Sequence, residues 1–180
     1  MCEISYAQFE GFLLTLAGFL LFVLWDIIKS YFETRTERER IMSLLVTEIK
    51  ENMDVCAGIV DHLSKEIRLL GERQEIVPAP TTLEVEGWAI GKSGNILKFL
   101  GWEKTRLVAK CCATARRINM NIQSREILRS TSRALSGYRE LVRAFDETII
   151  SQSMQYVRES VEALNVLGEK TKELVTMEPM

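Results

Sequence analysis

The first part of the chain and the rest differ in how apolar and polar positions alternate. Residues 11–25 are uncharged and apolar on every side of a helix, and the apolar run resumes after Asp26. A helix over residues 11–28 would be about 27 Å long, close to the roughly 30 Å of a bilayer core. A small soluble bundle cannot easily cover such a surface, so a buried soluble helix is less favoured. The pattern predicts a membrane span over about residues 9–28, within an anchor of residues 1–30.

Charged residues beside the predicted span indicate its orientation. Glu3 and Glu10 precede the span, and no Lys or Arg accompanies them. Four basic residues follow it: Lys29, Arg35, Arg38 and Arg40. The positive-inside rule therefore predicts a single-pass protein of the cell membrane, with its N-terminus outside and its C-terminal part in the cytoplasm. A cleaved signal peptide is less favoured, because no basic region precedes the apolar run.

Small residues share one face of the predicted span. Gly11, Thr15 and Gly18 recur at helical spacing. Such a face lets a second helix approach closely, although small residues are common in spans in any case. It is a candidate association face, either for a homo-oligomer or for another membrane protein.

After residue 31, apolar positions recur at gaps of three and four, which is typical of amphipathic helices. The first stripe is Leu45, Ile49, Met53, Cys56, Val60, Leu63, Ile67 and Leu70. The second stripe is Leu107, Cys111, Ala115, Ile118 and Ile122. The third is Tyr138, Val142, Phe145, Ile149, Tyr156 or Val157, Val161, Leu164 and Gly168. These stripes predict an all-α fold of three long helices, ending near residues 71, 130 and 174. The first helix continues the span as a stalk. The other two are expected to pack on it antiparallel, as a three-helix bundle or coiled coil.

Residues 71–102 interrupt the helical pattern. A Pro-Ala-Pro sequence at residues 78–80 favours an extended turn. Residues 81–84 have the spacing of a capping box, which predicts a short helix from there through Trp88. We expect this segment to form a Trp-containing helical hairpin that covers one end of the bundle.

Length and charge set the wider organisation. A chain of 180 residues has room for one domain beside the anchor, with residues 31–176 as the cytoplasmic bundle and 177–180 as a disordered tail. The formal net charge of −2 gives no overall preference for nucleic acid. Basic residues predominate over 103–143, whereas acidic residues predominate over 45–86 and 144–180. This division favours a basic helix lying between two acidic ones.

The basic region has a functional alternative, a surface for anionic lipid or RNA. Its candidate residues are Arg116, Arg117, Arg125, Arg129 and Arg133. The last three are spaced by four and would share one helix face. Acidic blocks elsewhere in the chain already supply partners for these charges, so intramolecular pairing is the favoured interpretation and nucleic acid is an unlikely partner.

No combination of residues predicts catalysis, a metal or another cofactor. Residues 87–93 resemble a phosphate-binding loop, but three residues stand where four are needed and no strand precedes them. His62 and Asp61 are adjacent on a helix and therefore do not face each other. The cysteines are Cys2, Cys56, Cys111 and Cys112. They form no Cys-x-x-Cys pair and lack a ligand set, which favours a structural role. We expect a non-enzymatic protein.

Four short motifs follow the span in a set order. They are Glu48-Ile49-Lys50-Glu51-Asn52, Leu83 to Trp88, Gly94-Asn95-Ile96-Leu97 and Ile118-Asn119. In this layout, residues 10–125 resemble uncharacterised prokaryotic single-pass membrane-anchored helical proteins. The aromatic residue usual before Ile-Asn is absent, and Cys111, Cys112 and Ala113 stand in that region. The resemblance implies a fold and a location. It implies no activity, because those relatives have none assigned.

These patterns predict a membrane-tethered helical interaction or scaffold protein that self-associates through the span and the stalk. One alternative is an accessory subunit of a membrane channel or transport complex. The other is an anionic-lipid or RNA binder acting through residues 103–143. The position of Asn52 beside the first stripe leaves open whether it hydrogen-bonds inside the bundle or faces water.

Overall fold

A computed structural model describes residues 6–71, 80–93, 100–131 and 136–168. Its helices are α1 (Tyr6–Gly71), α2 (Glu86–Ser93), α3 (Trp102–Thr131) and α4 (Tyr138–Leu167). These ranges contain no strand, and the predicted all-α class is confirmed. The chain divides into two compact units, Met1–Arg40 and Ile41–Met180.

In the first unit, the large apolar side chains of α1 are exposed. Large apolar residues from Leu14 to Phe32 are exposed, among them Phe22 at 68% and Trp25 at 67%. Within the described ranges, α1 is the one helix long and apolar enough to cross a membrane. The helix has no break between Ile28 and Ile41, so its predicted continuation through the charged residues 34–40 is confirmed.

The charged part of α1 in the first unit is stabilised along its own surface. Lys29 lies 3.9 Å from Glu33, and Arg35 lies 3.1 Å from Glu39, each pair separated by one helical turn. Such exposed pairs contribute little to stability, because water and salt screen them. They also balance the basic residues locally with acidic ones.

In the second unit, α1 buries a stripe whose gaps alternate strictly between four and three. The stripe is Leu45, Ile49, Asn52, Cys56, Ile59, Leu63, Glu66 and Leu70. Val60 and Ile67 of the predicted stripe are only partly buried. Ile59 and Glu66 are buried instead. The buried heptad positions include two polar residues, Asn52 and Glu66, which a search for apolar positions does not select.

The other two long helices show the same feature. The buried residues of α3 are Thr105, Val108, Cys111, Cys112, Thr114, Ala115, Ile118, Ile122 and Arg125. Those of α4 are Tyr138, Val142, Asp146, Ile149, Ser153, Tyr156, Glu159, Ser160, Ala163 and Leu164. Asp146 and Ser160 are buried where Phe145 and Val161 were expected, and these two apolar residues are only partly buried. Polar residues thus occupy core positions on all three helices.

Packing contacts give the direction of α3. Ile41 of α1 clusters with Val108, near the beginning of α3, and Leu70 clusters with Leu128, near its end. The helix α3 therefore runs parallel to this part of α1, and the expectation that it would run antiparallel is wrong. The connection over residues 72–101 is long enough to cross back along the unit before α3 begins.

The direction of α4 agrees with the prediction. Tyr138 at its beginning clusters with Leu70, and Leu167 at its end packs against the cluster that contains Ile41. The helix is shorter than expected, because Gly168 adopts a left-handed conformation with φ 91° and closes it. The predicted end near residue 174 is therefore wrong, and the predicted tail over residues 177–180 lies outside the described residues.

The irregular segment differs most from its prediction. The helix α2 begins at Glu86, not at the capping-box spacing of residues 81–84, which are not helical. Trp88 and Leu100 pack near Ile41, at one end of the unit. The predicted hairpin falls partly on residues 94–99, which lie outside the described residues.

Candidate functional site

Two asparagines from different helices hold one short stretch of chain by its main chain. Asn52 of α1 accepts the N–H of Glu84 at 2.8 Å and donates to its carbonyl oxygen at 2.7 Å. Asn119 of α3 accepts the N–H of Leu83 at 2.8 Å and donates to its carbonyl oxygen at 2.8 Å. Together with Glu48, described below, we call these residues the asparagine clamp.

The chemistry of the clamp explains why asparagine serves at both positions. A carboxamide carries an acceptor and a donor side by side. In an extended residue, the N–H and C=O groups project to the same side and can exchange both bonds with a single partner, as a neighbouring strand does. Asn52 is 3% exposed, so its alternative of facing water is excluded. Each asparagine side chain thus makes the pair of hydrogen bonds that a residue of a neighbouring strand would make.

The stretch held by the clamp alternates its side chains as an extended chain does. Leu83 is 4% exposed and belongs to the main apolar cluster, beside Ile49 and Ile118. Glu84 is exposed, and Val85 is partly buried against the same cluster. One apolar side chain anchors the stretch and the main chain supplies its polar contacts.

Glu48 completes the clamp one turn before Asn52. Its carboxylate accepts the N–H of Gly87, in the first turn of α2, where a negative group is favoured. Burial raises the pKa of Glu48, while the main-chain N–H groups of Gly87 and Trp88 oppose the rise. A Cβ atom at Gly87 would lie 2.8 Å from Glu48 Oε2, which explains the glycine. Residues 87–93, which lack the spacing of a phosphate-binding loop, therefore belong to a helix whose first turn binds a carboxylate.

The clamp unites residues from three of the four motifs that carry the resemblance. Glu48 and Asn52 belong to the first motif, Leu83 to Trp88 form the second, and Asn119 belongs to the last. The Gly94-to-Leu97 motif lies outside the described residues. The order of these residues along the chain does not by itself predict that they meet. The available signal was an asparagine beside each of two predicted apolar stripes, Asn52 beside the first and Asn119 beside the second, with an irregular segment between them.

A second polar site lies further along the same helices. The side chains of Glu66, Arg125 and Asp146 are all 0% exposed. Arg125 Nε donates to Asp146 Oδ1 at 2.6 Å, and Arg125 also donates to Glu66 Oε2. A third bond joins Arg125 Nη1 to Glu126 Oε1 at 2.7 Å. We call these four residues the arginine cluster, and each of the three long helices contributes to it.

The arginine cluster contains more acidic than basic side chains. Burial raises the pKa of Glu66 to about 7, and the charge of Arg125 opposes this rise. Burial likewise raises the pKa of Asp146, against the attraction of Arg125. Glu66 Oε1 and Asp146 Oδ2 accept no hydrogen bond from the described residues. With two buried carboxylates around one guanidinium, the cluster favours binding a proton.

The arginine cluster corrects the predicted basic surface. Arg125 is buried at a heptad position, so it cannot belong to an exposed ladder. Arg129 is 12% exposed and lies 3.1 Å from Glu126. Arg116 and Arg117 are exposed, and Arg133 lies outside the described residues. The pairing of α3 with acidic residues of α1 and α4 agrees with the favoured interpretation of the charge pattern.

The predicted association face lies on the exposed part of α1. Thr15 and Gly18 are exposed, and Gly11 lies within the same helix. A Cβ atom at Gly18 would meet nothing within 4 Å. The helix surface is thus open at Gly18, and association of the face with another helix stays a prediction.

The described thiols do not form a reactive site. Cys56, Cys111 and Cys112 are buried and free. Burial raises the pKa of each to about 12, so the nucleophilic thiolate is disfavoured. No group of three metal-binding side chains occurs among the residues that the structure describes.

Comparison with protein-family models, with curated proteins and with solved structures finds no match for this chain. The resemblance to prokaryotic membrane-anchored helical proteins therefore stays a prediction.

Proposed function

We propose that this chain is a non-enzymatic, single-pass membrane protein that self-associates through its N-terminal helix and presents a cytoplasmic helical interaction module. The observation that supports this is a contrast in burial along α1. Apolar side chains between Leu14 and Phe32 are exposed, whereas the apolar stripe from Ile41 onward is buried. Exposed apolar surface on this scale needs lipid or protein to cover it.

The small-residue face supports self-association within that surface. Gly18 leaves room on the helix, so a second helix could approach closely there. Among the described residues of the second unit, the two polar sites bind main chain, in the asparagine clamp, or one another, in the arginine cluster. The interaction module is accordingly the helical unit that begins at Ile41.

Membrane insertion and orientation are tested first. Membranes from cells that express the full chain are washed with alkaline carbonate and then treated with protease from one side. We expect the chain to stay with the membrane and its C-terminal part to be cut only from the cytoplasmic side. Release by carbonate would contradict the span, and cutting from the outer side would contradict the orientation.

Self-association is tested by light scattering of the full chain in detergent. We expect an oligomer whose dissociation is promoted by Gly18→Leu, which fills the open face. Ala17→Leu is the matched control, because it places the same side chain at an exposed neighbouring position. A monomer at every concentration, or equal effects of the two substitutions, would contradict association through this face.

A further inference from the structure

The arginine cluster divides the apolar core of the second unit. On each of the three long helices, its buried member stands between a residue of the main apolar cluster and a residue of a small apolar cluster at the end of the unit. The neighbours in the main apolar cluster are Leu63, Ile122 and Ile149. The small cluster, which we call the end cluster, contains Leu70, Leu128, Tyr138 and Val142. The end cluster thus meets the rest of the core across a layer of ionisable side chains.

Within this layer, two carboxylates bind the same edge of one guanidinium. Arg125 Nε donates to Asp146 Oδ1 at 2.6 Å, and Arg125 Nη2 donates to Glu66 Oε2. Nε and Nη2 are neighbouring donors, which in the usual bidentate pair bind both oxygens of a single carboxylate. Here they bind one oxygen from each of two carboxylates, so those two oxygens lie side by side. Two carboxylates this close do not both ionise at low cost, and they commonly share one proton.

The surrounding groups do not neutralise both carboxylates. Glu66 Oε1 and Asp146 Oδ2 accept no hydrogen bond from the described residues. The charged and titratable groups that act on the pair are His62 of α1 and Arg125, Glu126 and Arg129 of α3. Two guanidinium groups therefore stand against three carboxylates, and one bound proton balances their charges.

We propose that Glu66 and Asp146 share one proton, and that this proton holds the end cluster against the main apolar cluster. While the proton is bound, the pair carries one negative charge, which Arg125 neutralises. When the proton leaves to water, two buried carboxylates compete for one guanidinium, and a buried charge without its own partner is costly. We expect the helices to separate at the end cluster, because it is much the smaller of the two clusters. The proposal depends on neither the membrane span nor self-association, since these residues all belong to the second unit.

The direction of the pH response follows from the pKa values. Burial raises the pKa of Glu66 to about 7 and also raises the pKa of Asp146. The folded unit therefore binds the proton at acidic pH and loses it as the pH rises through about 7. In an opened end, the carboxyl groups meet water and return toward their ordinary pKa values, so rising pH favours opening.

Infrared spectroscopy of the full chain in detergent tests the shared proton, because a protonated carboxyl and a carboxylate absorb at different frequencies. We expect a protonated-carboxyl signal from the wild-type pair at acidic pH that is lost around pH 7. Asp146→Asn and Glu66→Gln should each remove it, since the remaining carboxylate has Arg125 to itself and ionises. Glu51→Gln, at an exposed position of α1, is the control and should leave the signal unchanged. Any signal from Glu48, whose pKa is also raised, is common to all these chains.

Two results would overturn the sharing. A signal that survives Asp146→Asn would mean that burial of Glu66 alone holds the proton. A wild-type chain whose spectrum matches that of both variants would mean that the pair holds none. If a variant does not fold, selective carbon-13 labelling of aspartate or glutamate carboxyls in the wild type decides instead, because a shared proton must change both bands over the same pH range.

Hydrogen exchange of the same protein tests the effect on the end cluster. Between pH 5 and pH 7, we expect the protection factors of the Leu128 and Val142 amides to fall by more than about tenfold. The amides of Leu45 and Val108, which cluster at the opposite end of the unit, should change less. Glu66→Gln should abolish the difference between the two ends. An equal fall at both ends of the wild-type unit would overturn the proposed hold on the end cluster.

Discussion

The asparagine clamp and the arginine cluster both place polar side chains in the core of the second unit, yet they differ in balance. Asn52 and Glu66 stand on the same buried stripe of α1. The clamp is built mainly from neutral amides, whose donors and acceptors match those of the main chain. The cluster surrounds one guanidinium with carboxylates, and two carboxylate oxygens accept no hydrogen bond from the described residues.

This difference separates two uses of buried polarity. A matched amide pair contributes little net free energy but is costly to leave half-made, so it selects one conformation of the segment. A buried ion cluster is costly to assemble and still more costly to break at one member. The clamp therefore specifies where a segment lies, and the cluster makes the alignment of three helices depend on charge.

The largest effect is expected from removing the centre of the arginine cluster. Arg125→Met leaves Glu66 and Asp146 buried without their shared partner, which should cost about 3–5 kcal/mol in the free energy of unfolding. Denaturant titration of the full chain in detergent, followed by helical circular dichroism, measures this loss. The triple variant Glu66→Leu, Arg125→Met, Asp146→Leu should recover most of it. A triple variant no better than Arg125→Met would show that the charges themselves stabilise the fold.

Lowering the pH should raise the free energy of unfolding through the arginine cluster, whereas carboxylates in ion pairs usually have the opposite effect. The pKa of Glu66 rises to about 7 in the folded chain from an ordinary 4.5, so the folded state holds a proton that the unfolded state has released. Stability should therefore be highest below pH 4.5 for this group and fall by about 3 kcal/mol as pH rises to 7. The raised pKa of Asp146 acts in the same direction.

Denaturant titrations at several pH values measure this slope. Glu66→Gln removes the group that titrates and should flatten the slope. A wild-type chain whose stability rises steadily between pH 5 and pH 7 would contradict the prediction.

A smaller effect is expected at the clamp. Asn119→Leu leaves the N–H and C=O of Leu83 without partners and should cost about 2 kcal/mol. The amide of Leu83 should also exchange its hydrogen faster, by a factor that matches this loss. Gln123→Leu, at an exposed position of the same helix, is the control and should change little. Equal stability of the two variants would mean that the clamp does not hold the segment.

The smallest effects compare two glycines. Gly87→Ala places a methyl group against the Glu48 carboxylate and should destabilise by about 1 kcal/mol or less, because the tip of that side chain can shift. Gly58→Ala lies in helix α1 with nothing within 4 Å and should stabilise by about 0.5–1 kcal/mol. Thermal unfolding of both variants provides the comparison. The same sign for both would show that the contact with Glu48 does not matter.

The sequence predicted those features that depend on apolar spacing and on chain breakers. The end of α1 at Gly71 and the limits of α3 followed from the pattern. The sites did not, because Asn52, Glu66 and Arg125 are polar residues at core positions. An apolar pattern treats them as gaps or as surface, and only their distant partners make them buried.

The start of α2 shows the same limit in the main chain. A capping-box spacing at residues 81–84 is a local signal, whereas Asn52 and Asn119 engage the main chain of Leu83 and Glu84 from two other helices. The distant contacts prevail, and the helix begins later. The direction of α3 likewise could not be predicted from local sequence. The connection before it is long enough to allow either direction.

The clamp engages the main chain of its segment, and its bonds do not go to the side chains that face outward. Glu84, Glu86 and Ala89 are exposed on the clamped segment. Substitutions there can alter shape and charge while the backbone beneath stays fixed. The segment thus combines a backbone position set by the clamp with an outer face whose side chains take no part in setting it.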